Sequence, residues 1–318
     1  MKIALLDAMT LGDDISLVPI TGQGECIIYE NIDDKDIAKA LSNADVCVTN
    51  KKLLGEHNLK DAKNLKLICL TATGYNNVDV EYCKKRGIKV RNVPGYCKES
   101  VCQHTFALLL SLMESMSYYD NFVKDGSYTK SGLANHLAMP FDEICSKTWG
   151  IIGMGGIGRE VAKVATAFGA HVLYAPISGK SRKEDYEEVA LDALFEQSDI
   201  ISIHSPLNDK TENLVNMDKI KLMKKNAVII NVGRGAIVNS RDLALAVDSG
   251  MIRGAGIDVY PTEPPRENDP FMNLKHPERF VFTPHIAWAS LTARQRCVDV
   301  VGENILALIE NRGCNDVW

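Results

Sequence analysis

The sequence predicts an α/β protein made of two domains, each built on a doubly wound parallel sheet. Short β-branched runs alternate with amphipathic stretches along the 318 residues, as they do in chains that form such sheets. One of the later runs leads directly into a glycine-rich turn, which is typical of a nucleotide-binding domain. At this length roughly two domains are expected, so two sheets of this kind account for the chain.

Five short strands are predicted in the first domain, with helices between them. Helical spacing covers Asp36–Ser42 and Val80–Arg86. Residues 92–95, Asn-Val-Pro-Gly, break the pattern, and a long helix from Ser100 to about Tyr118 follows, with Ser100 as its N-cap. We interpret this break as the crossing into the second domain. The predicted strands are Lys2–Asp7, Cys26–Tyr29, Val46–Thr49, Leu67–Thr71 and Ile88–Asn92.

Six further strands are predicted after a polar stretch, Lys124–Lys147, and helical segments separate them. This alternation describes a second doubly wound parallel sheet. The final segment, Ser290 to about Asn311, has helical spacing and no strand of its own. We therefore expect it to pack on the first domain, which makes that domain discontinuous. The predicted strands are Thr148–Ile152, His171–Tyr174, Ile200–His204, Ala227–Val232, Gly254–Val259 and Phe280–Thr283.

The charge balance argues against several classes of partner. Lys and Arg number 36 against 41 Asp and Glu, and the formal net charge of -5 offers no broad basic field for nucleic acid or an anionic membrane. No apolar stretch reaches the ~20 residues of a spanning helix. The N-terminus meets Asp7 too soon for a secretory signal. We expect a cytoplasmic protein that acts on small molecules.

Cysteine and histidine spacing argues against disulfides and metal sites. The nine cysteines form no CxxC pair, and the seven histidines form no HxxxH pair. An odd number of scattered cysteines is not a disulfide framework, and zinc ligands need closer spacing. The sequence therefore predicts a reducing compartment and no metal.

Residues 153–158 read Gly-Met-Gly-Gly-Ile-Gly, between an apolar strand and a helix predicted over Arg159–Phe168. In such a turn Gly153 permits the tight bend, Gly155 lets the backbone approach a pyrophosphate, and Gly158 lets the helix pack closely on the strand. The helix N-terminus attracts the anion. This context predicts a dinucleotide site.

The cofactor that this site prefers stays open. An acid about 20 residues after the glycines usually binds the ribose hydroxyls of NAD, but here the second strand ends at Ala175-Pro176 without a carboxylate. A polar and basic cluster follows, which either is a solvated loop or binds the 2′-phosphate of NADP through charge-assisted hydrogen bonds. We expect NAD or NADP, with a lean toward tolerance of NADP. The cluster contains Ser178, Lys180, Ser181, Arg182 and Lys183.

Arg234, Glu263 and His285 follow the ends of three predicted strands, where open α/β sheets build their sites. Taken singly, each has a structural explanation. Together they match the needs of carbonyl reduction, which requires a cation to hold the acid and polarise the ketone, and a proton donor that titrates near neutrality. A carboxylate bonded to the imidazole favours its protonated form and orients it. We predict these three residues to be catalytic.

These motifs resemble the D-isomer-specific 2-hydroxyacid dehydrogenase family along the whole chain. The resemblance is carried by the glycine-rich turn, by His-Ser-Pro-Leu at 204–207, Asn-Val-Gly-Arg-Gly at 231–235, Gly-Ile-Asp-Val at 256–259 and Pro-His-Ile-Ala-Trp at 284–288. Within the family, residues 92–96, 103–110 and 285–290 are most similar to glycerate dehydrogenases, also called hydroxypyruvate reductases. The resemblance implies a Rossmann cofactor domain, 99–287, inserted into a discontinuous flavodoxin-like substrate domain, 1–98 plus 288–318.

The resemblance also implies roles for individual residues. Arg234 binds the substrate, Glu263 is the partner of the imidazole, and His285 is the acid/base. Backbone N–H groups of Thr73 and Gly74 bind the substrate carboxylate. Further cofactor contacts are implied for Gly156 and Ile157 at the pyrophosphate, His204, Pro206 and Val232 along the cleft, and Asp258 at the nicotinamide carboxamide. A homodimer with the long helix in its interface is implied as well.

Alternatives to a glycerate dehydrogenase stay open. Phosphoglycerate dehydrogenase or another D-2-hydroxyacid dehydrogenase fits the same motifs, whereas formate dehydrogenases carry Gln where Glu263 stands. Trp288 either closes the pocket around a small substrate or packs under the final helix. A dinucleotide-sensing regulatory protein is the alternative from another class, because related corepressors keep the fold and the same three residues.

Overall fold

The computed structural model describes residues 1–177 and 184–318. They form two compact units, which are residues Met1–Cys97 with Ala289–Trp318, and residues Lys98–Trp288. These bounds lie within one residue of the domain bounds expected from the sequence. Below they are called the first and the second unit.

The first unit contains a five-stranded sheet with the order β2-β1-β3-β4-β5, and all its pairings are parallel. This order is the flavodoxin-like one, as predicted. Every residue of β3 and β4 is buried, so both faces of the sheet are covered. The strands are β1 Lys2–Leu5, β2 Glu25–Ile28, β3 Val46–Thr49, β4 Leu67–Leu70 and β5 Lys89–Arg91, and the helices are α1 Val18–Thr21, α2 Ile37–Leu41, α3 Glu56–Leu59, α4 Val80–Arg86 and the C-terminal helix Leu291–Ile309.

The C-terminal segment is attached to the first unit by a buried arginine at the end of β5. The guanidinium of Arg91 lies 2.9 Å from Asp316 Oδ1 and donates to the carbonyl oxygens of Asn304 and Arg312, at 2.6 and 3.0 Å. Ser290 caps the C-terminal helix through the backbone N–H of Ala293. The C-terminal helix therefore belongs to the first unit, as the sequence predicts.

The second unit contains a seven-stranded sheet with the order β12-β11-β10-β9-β6-β7-β8, again with parallel pairings. Six of its strands, from β8 through β7, β6, β9 and β10 to β11, follow the doubly wound order of a dinucleotide-binding fold, so this part of the fold prediction is confirmed. The strands are β6 Thr148–Ile152, β7 His171–Ala175, β8 Glu187–Glu188, β9 Ile200–Ile203, β10 Val228–Asn231, β11 Gly254–Ile257 and β12 Phe280–Phe282, and the helices are α5 Lys98–Met113, α6 Met116–Lys124, α7 Ser127–Ser131, α8 Gly156–Ala167, α9 Leu191–Gln197, α10 Met217–Ile220 and α11 Ser240–Asp248.

One helix prediction is wrong in detail, and two short elements were not predicted. The single helix from Ser100 to about Tyr118 is two helices, α5 and α6, because Ser115 has a φ of 52°, a left-handed conformation that a right-handed helix cannot include. Ser100 is not the N-cap, since α5 begins at Lys98, and its hydroxyl donates to the carbonyl of Ala287 instead. The polar stretch also contains α7. In addition, the two-residue edge strand β8 was not predicted, since a pair of exposed glutamates has no strand signal.

Among the residues that the structure describes, no helix is both long and apolar enough to cross a membrane.

Candidate active site

Arg234, Glu263 and His285 lie in the second unit, beyond the carboxyl ends of β10, β11 and β12. These strands are neighbours in the sheet, and parallel strands bring their carboxyl ends to one edge. The fold thus brings the loops that carry these three residues, which are far apart in the sequence, to one edge of the sheet.

The imidazole of His285 is paired with the carboxylate of Glu263. Nδ1 of His285 lies 2.6 Å from Oε2 of Glu263, and the other Glu263 oxygen accepts from the backbone N–H of Tyr260 at 3.2 Å. Because an ionised carboxylate only accepts hydrogen bonds, the Nδ1 atom must carry the proton. Nε2 is therefore the ring nitrogen that can exchange a proton with a substrate.

The backbone of His285 is strained and held on both sides. Its φ is 56°, which is uncommon for a residue other than glycine. Its N–H donates to the carbonyl oxygen of Asp258 at 2.8 Å, and its own carbonyl accepts from Nε1 of Trp288 at 2.9 Å. Strain of this kind persists only where the surroundings hold it, and it is concentrated at functional sites.

Asp258 organises the loop that carries His285. Its buried carboxylate accepts from the hydroxyl of Thr283 at 2.6 Å and from the backbone N–H groups of Ile286 and Ala287, both at 2.9 Å. Thr283 was not identified by sequence reasoning. The predicted contact of Asp258 with the nicotinamide carboxamide stays a prediction.

Arg234 stands on a turn that packs against the Glu263 loop. The side chain of buried Asn231 accepts from the N–H of Gly233 and donates to the carbonyl of Arg234, each at 3.1 Å. A Cβ on Gly235 would lie 1.9 Å from the carbonyl carbon of Tyr260, so only glycine permits this approach. Arg234 is exposed and donates to the carbonyl of Gly233 at 2.7 Å. Sequence reasoning did not identify the supporting roles of Asn231 and Tyr260.

The glycine-rich turn has the geometry expected of a phosphate site. Gly153 has a φ of 97°, and a Cβ there would lie 2.7 Å from the N atom of Ser205. A Cβ on Gly158 would lie 2.4 Å from the carbonyl oxygen of Gly153, whereas Gly155 and Gly156 face open space. Gly155 is the N-cap of α8, and among the described residues no side chain caps it. Open N–H groups at a helix N-terminus fit a pyrophosphate.

Polar atoms and a groove adjoin this turn. Among the described residues, the buried atoms Nδ1 of His204 and Oγ of Ser205 have no hydrogen-bond partner. Burial lowers the pKa of His204 to about 3, so the ring is neutral. A groove of about 450 Å³ is bordered by Ala175, Pro176, Glu188 and Lys210. These features fit a dinucleotide. Ile157 and Val232 lie in the first turn of α8 and directly after β10.

Several predicted contacts are not tested by this geometry. Ser178 and Lys180, with Ser181, Arg182 and Lys183, lie outside the described residues. Pro206 is exposed, and its contact with a cofactor stays a prediction.

The first unit presents the predicted substrate loop at the end of β4. The Thr73 hydroxyl donates to the carbonyl of Val93 at 2.8 Å, and the Thr73 carbonyl accepts from Nδ2 of Asn92 at 2.7 Å. Among the described residues, the backbone N–H groups of Thr73 and Gly74 have no hydrogen-bond partner. Nδ2 of Asn77 ties this loop to the carbonyls of Asn50 and Lys52, at 3.2 and 3.0 Å. The structure is consistent with backbone donors here.

The chain has two parallel-sheet units and a phosphate-binding turn. It also has an imidazole paired with a carboxylate, at the same sheet edge as Arg234. Together these features define a dinucleotide-dependent oxidoreductase. The chain belongs to the D-isomer specific 2-hydroxyacid dehydrogenase family, since the family model described as "D-isomer specific 2-hydroxyacid dehydrogenase, NAD binding domain" matches residues 106–287.

The chain is also similar to individual proteins of known name or structure. A hydroxypyruvate reductase of Blautia hydrogenotrophica is 34% identical over 323 residues, which cover 100% of this chain and 99% of the relative. A glyoxylate reductase of Thermococcus litoralis is 38% identical over 253 residues, or 78% and 75% of the two chains. The solved structure of an acyclic imino acid reductase, Bsp5, in complex with NADPH and D-Arg has a TM-score of 0.86 and 28% identity over 100% of both chains.

Proposed function

We propose that this protein reduces a small 2-keto acid to the D-2-hydroxy acid, with hydroxypyruvate, which gives D-glycerate, as the first candidate. The His285–Glu263 pair, with Nδ1 and Oε2 2.6 Å apart, is the observation that carries this proposal, because it supplies an oriented proton donor. Hydroxypyruvate is favoured by the full-length similarity to a hydroxypyruvate reductase. The glyoxylate reductase relative makes glyoxylate the main competitor.

Each residue of the site has a separate task in the proposed reaction. A nicotinamide dinucleotide, held at the glycine-rich turn, would supply a hydride for C2 of the keto acid. Arg234 binds the substrate carboxylate with its planar fork and polarises the ketone. Nε2 of His285 gives its proton to the carbonyl oxygen, which becomes the hydroxyl group. Glu263 accepts from Nδ1 and so fixes the orientation of the ring.

Residues of the first unit and Trp288 complete the proposed substrate contacts. The N–H groups of Thr73 and Gly74 bind the carboxylate, and Trp288 borders the substrate. For Trp288, a structural alternative stands beside this role, because its indole donates to the carbonyl of His285.

For the cofactor we propose either NAD or NADP, and we favour a site that tolerates NADP. Pro176 stands where a carboxylate would bind the ribose of NAD and repel a 2′-phosphate. The family model refers to NAD, whereas the structural relative Bsp5 holds NADPH. Glu188, which borders the groove after β7, is the acid that would favour NAD instead.

The test is absorbance at 340 nm while NADH or NADPH is consumed with hydroxypyruvate, glyoxylate, pyruvate and phosphohydroxypyruvate in parallel. Fast turnover of hydroxypyruvate supports the proposal, and preference for phosphohydroxypyruvate replaces it with phosphoglycerate dehydrogenase. If the protein binds a dinucleotide but reduces no keto acid, the sensing protein becomes the better interpretation.

We also propose a cytoplasmic homodimer. All nine cysteines are free thiols, which suits a reducing compartment. Apolar side chains in the segment 116–141 are exposed, and Leu137 is 86% exposed, so a second copy covering them would remove apolar surface from water. Light scattering on the purified chain decides this, since a monomer mass contradicts the dimer. The exposed residues are Met116, Tyr118, Val123, Tyr128, Leu133, Leu137 and Phe141.

A further inference from the structure

A line of polar contacts connects helix α5 to the His285 loop. Oγ1 of Thr283 lies 2.9 Å from Nε2 of His104 and 2.6 Å from Oδ1 of Asp258. Nε2 of His104 is also 3.6 Å from the same Asp258 oxygen. His104 and Thr283 are largely buried, and Asp258 is fully buried. The contacts therefore form one connected network behind the proton donor.

The chemistry of the groups sets the direction of each hydrogen bond. The Asp258 carboxylate already accepts two backbone N–H groups, and an ionised carboxylate cannot donate. The hydroxyl proton of Thr283 must therefore point to Asp258. The Thr283 oxygen is then the acceptor toward His104, so His104 must carry its proton on Nε2.

The packing of α5 explains why His104 reaches this place. His104, Leu108 and Leu112 are spaced by four residues and so share one face of the helix. A Cβ on Gly256 would lie 3.0 Å from Cβ of Leu108, and one on Gly254 would lie 3.1 Å from Cδ1 of Leu112. The two glycines of β11 thus let the helix lie close to the sheet. This close approach brings His104 to Thr283 at the end of β12.

We propose that His104 is a positioning residue, which acts through Thr283 and Asp258 to hold His285 in the orientation needed for proton transfer. The inference rests on the proposed function of His285. Asp258 binds the N–H groups of the two residues after His285 through its side chain, and that of His285 through its carbonyl. Because His285 has a strained backbone, it depends on these bonds. Weakening them lowers the rate of proton transfer more than the affinity for substrate.

The first experiment needs no activity. The full chain is labelled with ¹⁵N-histidine, and the His104 ring signals are assigned by their loss in His104→Gln. We expect the Nε2–H tautomer in the wild-type protein and in Thr283→Ser, and a mixture of tautomers in Thr283→Val. An Nδ1–H tautomer or a mixture in the wild-type protein overturns the network.

The second experiment measures kcat, KM and the solvent isotope effect on kcat in D₂O, which reports proton transfer, in two matched pairs. Thr283→Val and His104→Leu remove a donor, whereas Thr283→Ser and His104→Gln retain one. We expect kcat to fall roughly 3- to 10-fold in the first two, as for the loss of one hydrogen bond, with a larger isotope effect and an unchanged KM. Thr283→Ser and His104→Gln should keep most of the wild-type kcat. Equal losses within each pair, or no loss in any variant, overturn the proposal.

A third measurement separates this inference from the proposed function. If the wild-type protein reduces no keto acid, the proposed function fails, and the Nδ1 proton of His285 becomes the readout, because its bond to Glu263 gives a downfield proton resonance. A signal that shifts or broadens in Thr283→Val but not in Thr283→Ser supports the positioning role. A signal unchanged in both variants overturns it.

Discussion

In each unit, a buried aspartate that follows a strand holds a loop at the edge of the sheet. In the first unit, Asp7 accepts from the N–H groups of Asn50 and Lys51 at 2.8 to 3.0 Å and from the hydroxyl of Thr49 at 3.0 Å. In the second unit, Asp258 accepts from two successive N–H groups and from the hydroxyl of Thr283. In both cases the threonine lies at the carboxyl end of an adjacent strand.

The two anchors differ in what their loops carry. The loop held by Asp258 contains His285, with its positive φ and an ionisable ring, and is connected to His104 on α5. The loop held by Asp7 contributes carbonyl groups, to which Asn77 ties the loop of Thr73 and Gly74. Under the proposed function, the same kind of anchor would therefore support proton transfer in the second unit and backbone hydrogen-bonding groups in the first. We expect its loss to affect kcat in the second unit and KM in the first.

The largest effect is expected where the anchored loop carries the reacting group itself. His285→Ala should lower kcat roughly 10²- to 10⁴-fold, the usual contribution of a positioned acid, while dinucleotide binding is retained. Steady-state kinetics and fluorescence titration measure the two properties. The control is His276→Ala, because His276 forms a similar pair with Glu278 at 3.0 Å on the surface. Loss of dinucleotide binding in His285→Ala would show a structural role instead.

Arg234→Lys tests a residue that follows β10, at the same edge of the sheet. Lysine keeps the charge but not the planar fork, so we expect KM to rise and kcat to fall together, with kcat/KM lowered about 10- to 100-fold, as for charge-assisted hydrogen bonds. The control is Arg241→Lys, at an exposed arginine near the start of α11. Kinetics close to wild type in Arg234→Lys would contradict the assignment.

Asp258→Asn tests the anchor of the second unit. The amide NH₂ group of the introduced asparagine would face a backbone N–H group that Asp258 now accepts from. Because the His285 loop then loses a charged acceptor, kcat should fall about tenfold or more. Kinetics measure this, and a thermal melt checks that the fold is retained. A rise in KM for the keto acid without a change in kcat would remove the proposed difference between the two anchors.

Asp7→Asn tests the matching anchor of the first unit. We expect a rise of roughly 3- to 10-fold in KM for the keto acid and a smaller change in kcat, because the loops it supports carry no proton donor. Asp13→Asn, at an exposed position of the same unit, is the control. If kcat falls while KM is constant, the two anchors do not differ in the proposed way.

The smallest effect concerns stability alone. Burial lowers the pKa of His204 to about 3, from about 6.5 in an unfolded chain. Between these values the unfolded chain binds a proton that the native state does not, so stability falls as the pH falls through this window. In His204→Gln, the free energy of unfolding should drop less between about pH 7 and about pH 5 than in the wild-type protein. Urea titrations measure it, with exposed His171→Gln as the control, and equal drops would contradict the neutral ring.

The sequence was most informative where a residue type has a local cause. Val46–Thr49, Val80–Arg86 and Thr148–Ile152 have the predicted bounds, because β-branched runs and helical spacing act over a few neighbours. The break at Ser115 was missed, since serine carries no turn signal as strong as glycine or proline. Asn231, Tyr260 and Thr283 were missed as well. Their roles depend on a neighbouring strand or loop, which no local pattern reveals.

The sequence by itself determined the two-sheet α/β class, the phosphate-binding turn and the identity of Arg234, Glu263 and His285 as candidates, because these follow from residue type and spacing. Only the tertiary structure decided which atoms meet. It pairs Nδ1 of His285 with Glu263, buries Asp258 under the His285 loop and brings His104 to Thr283. The physical reason is that hydrogen bonds act over about 3 Å, and only the packed sheet brings residues from distant parts of the chain within that distance.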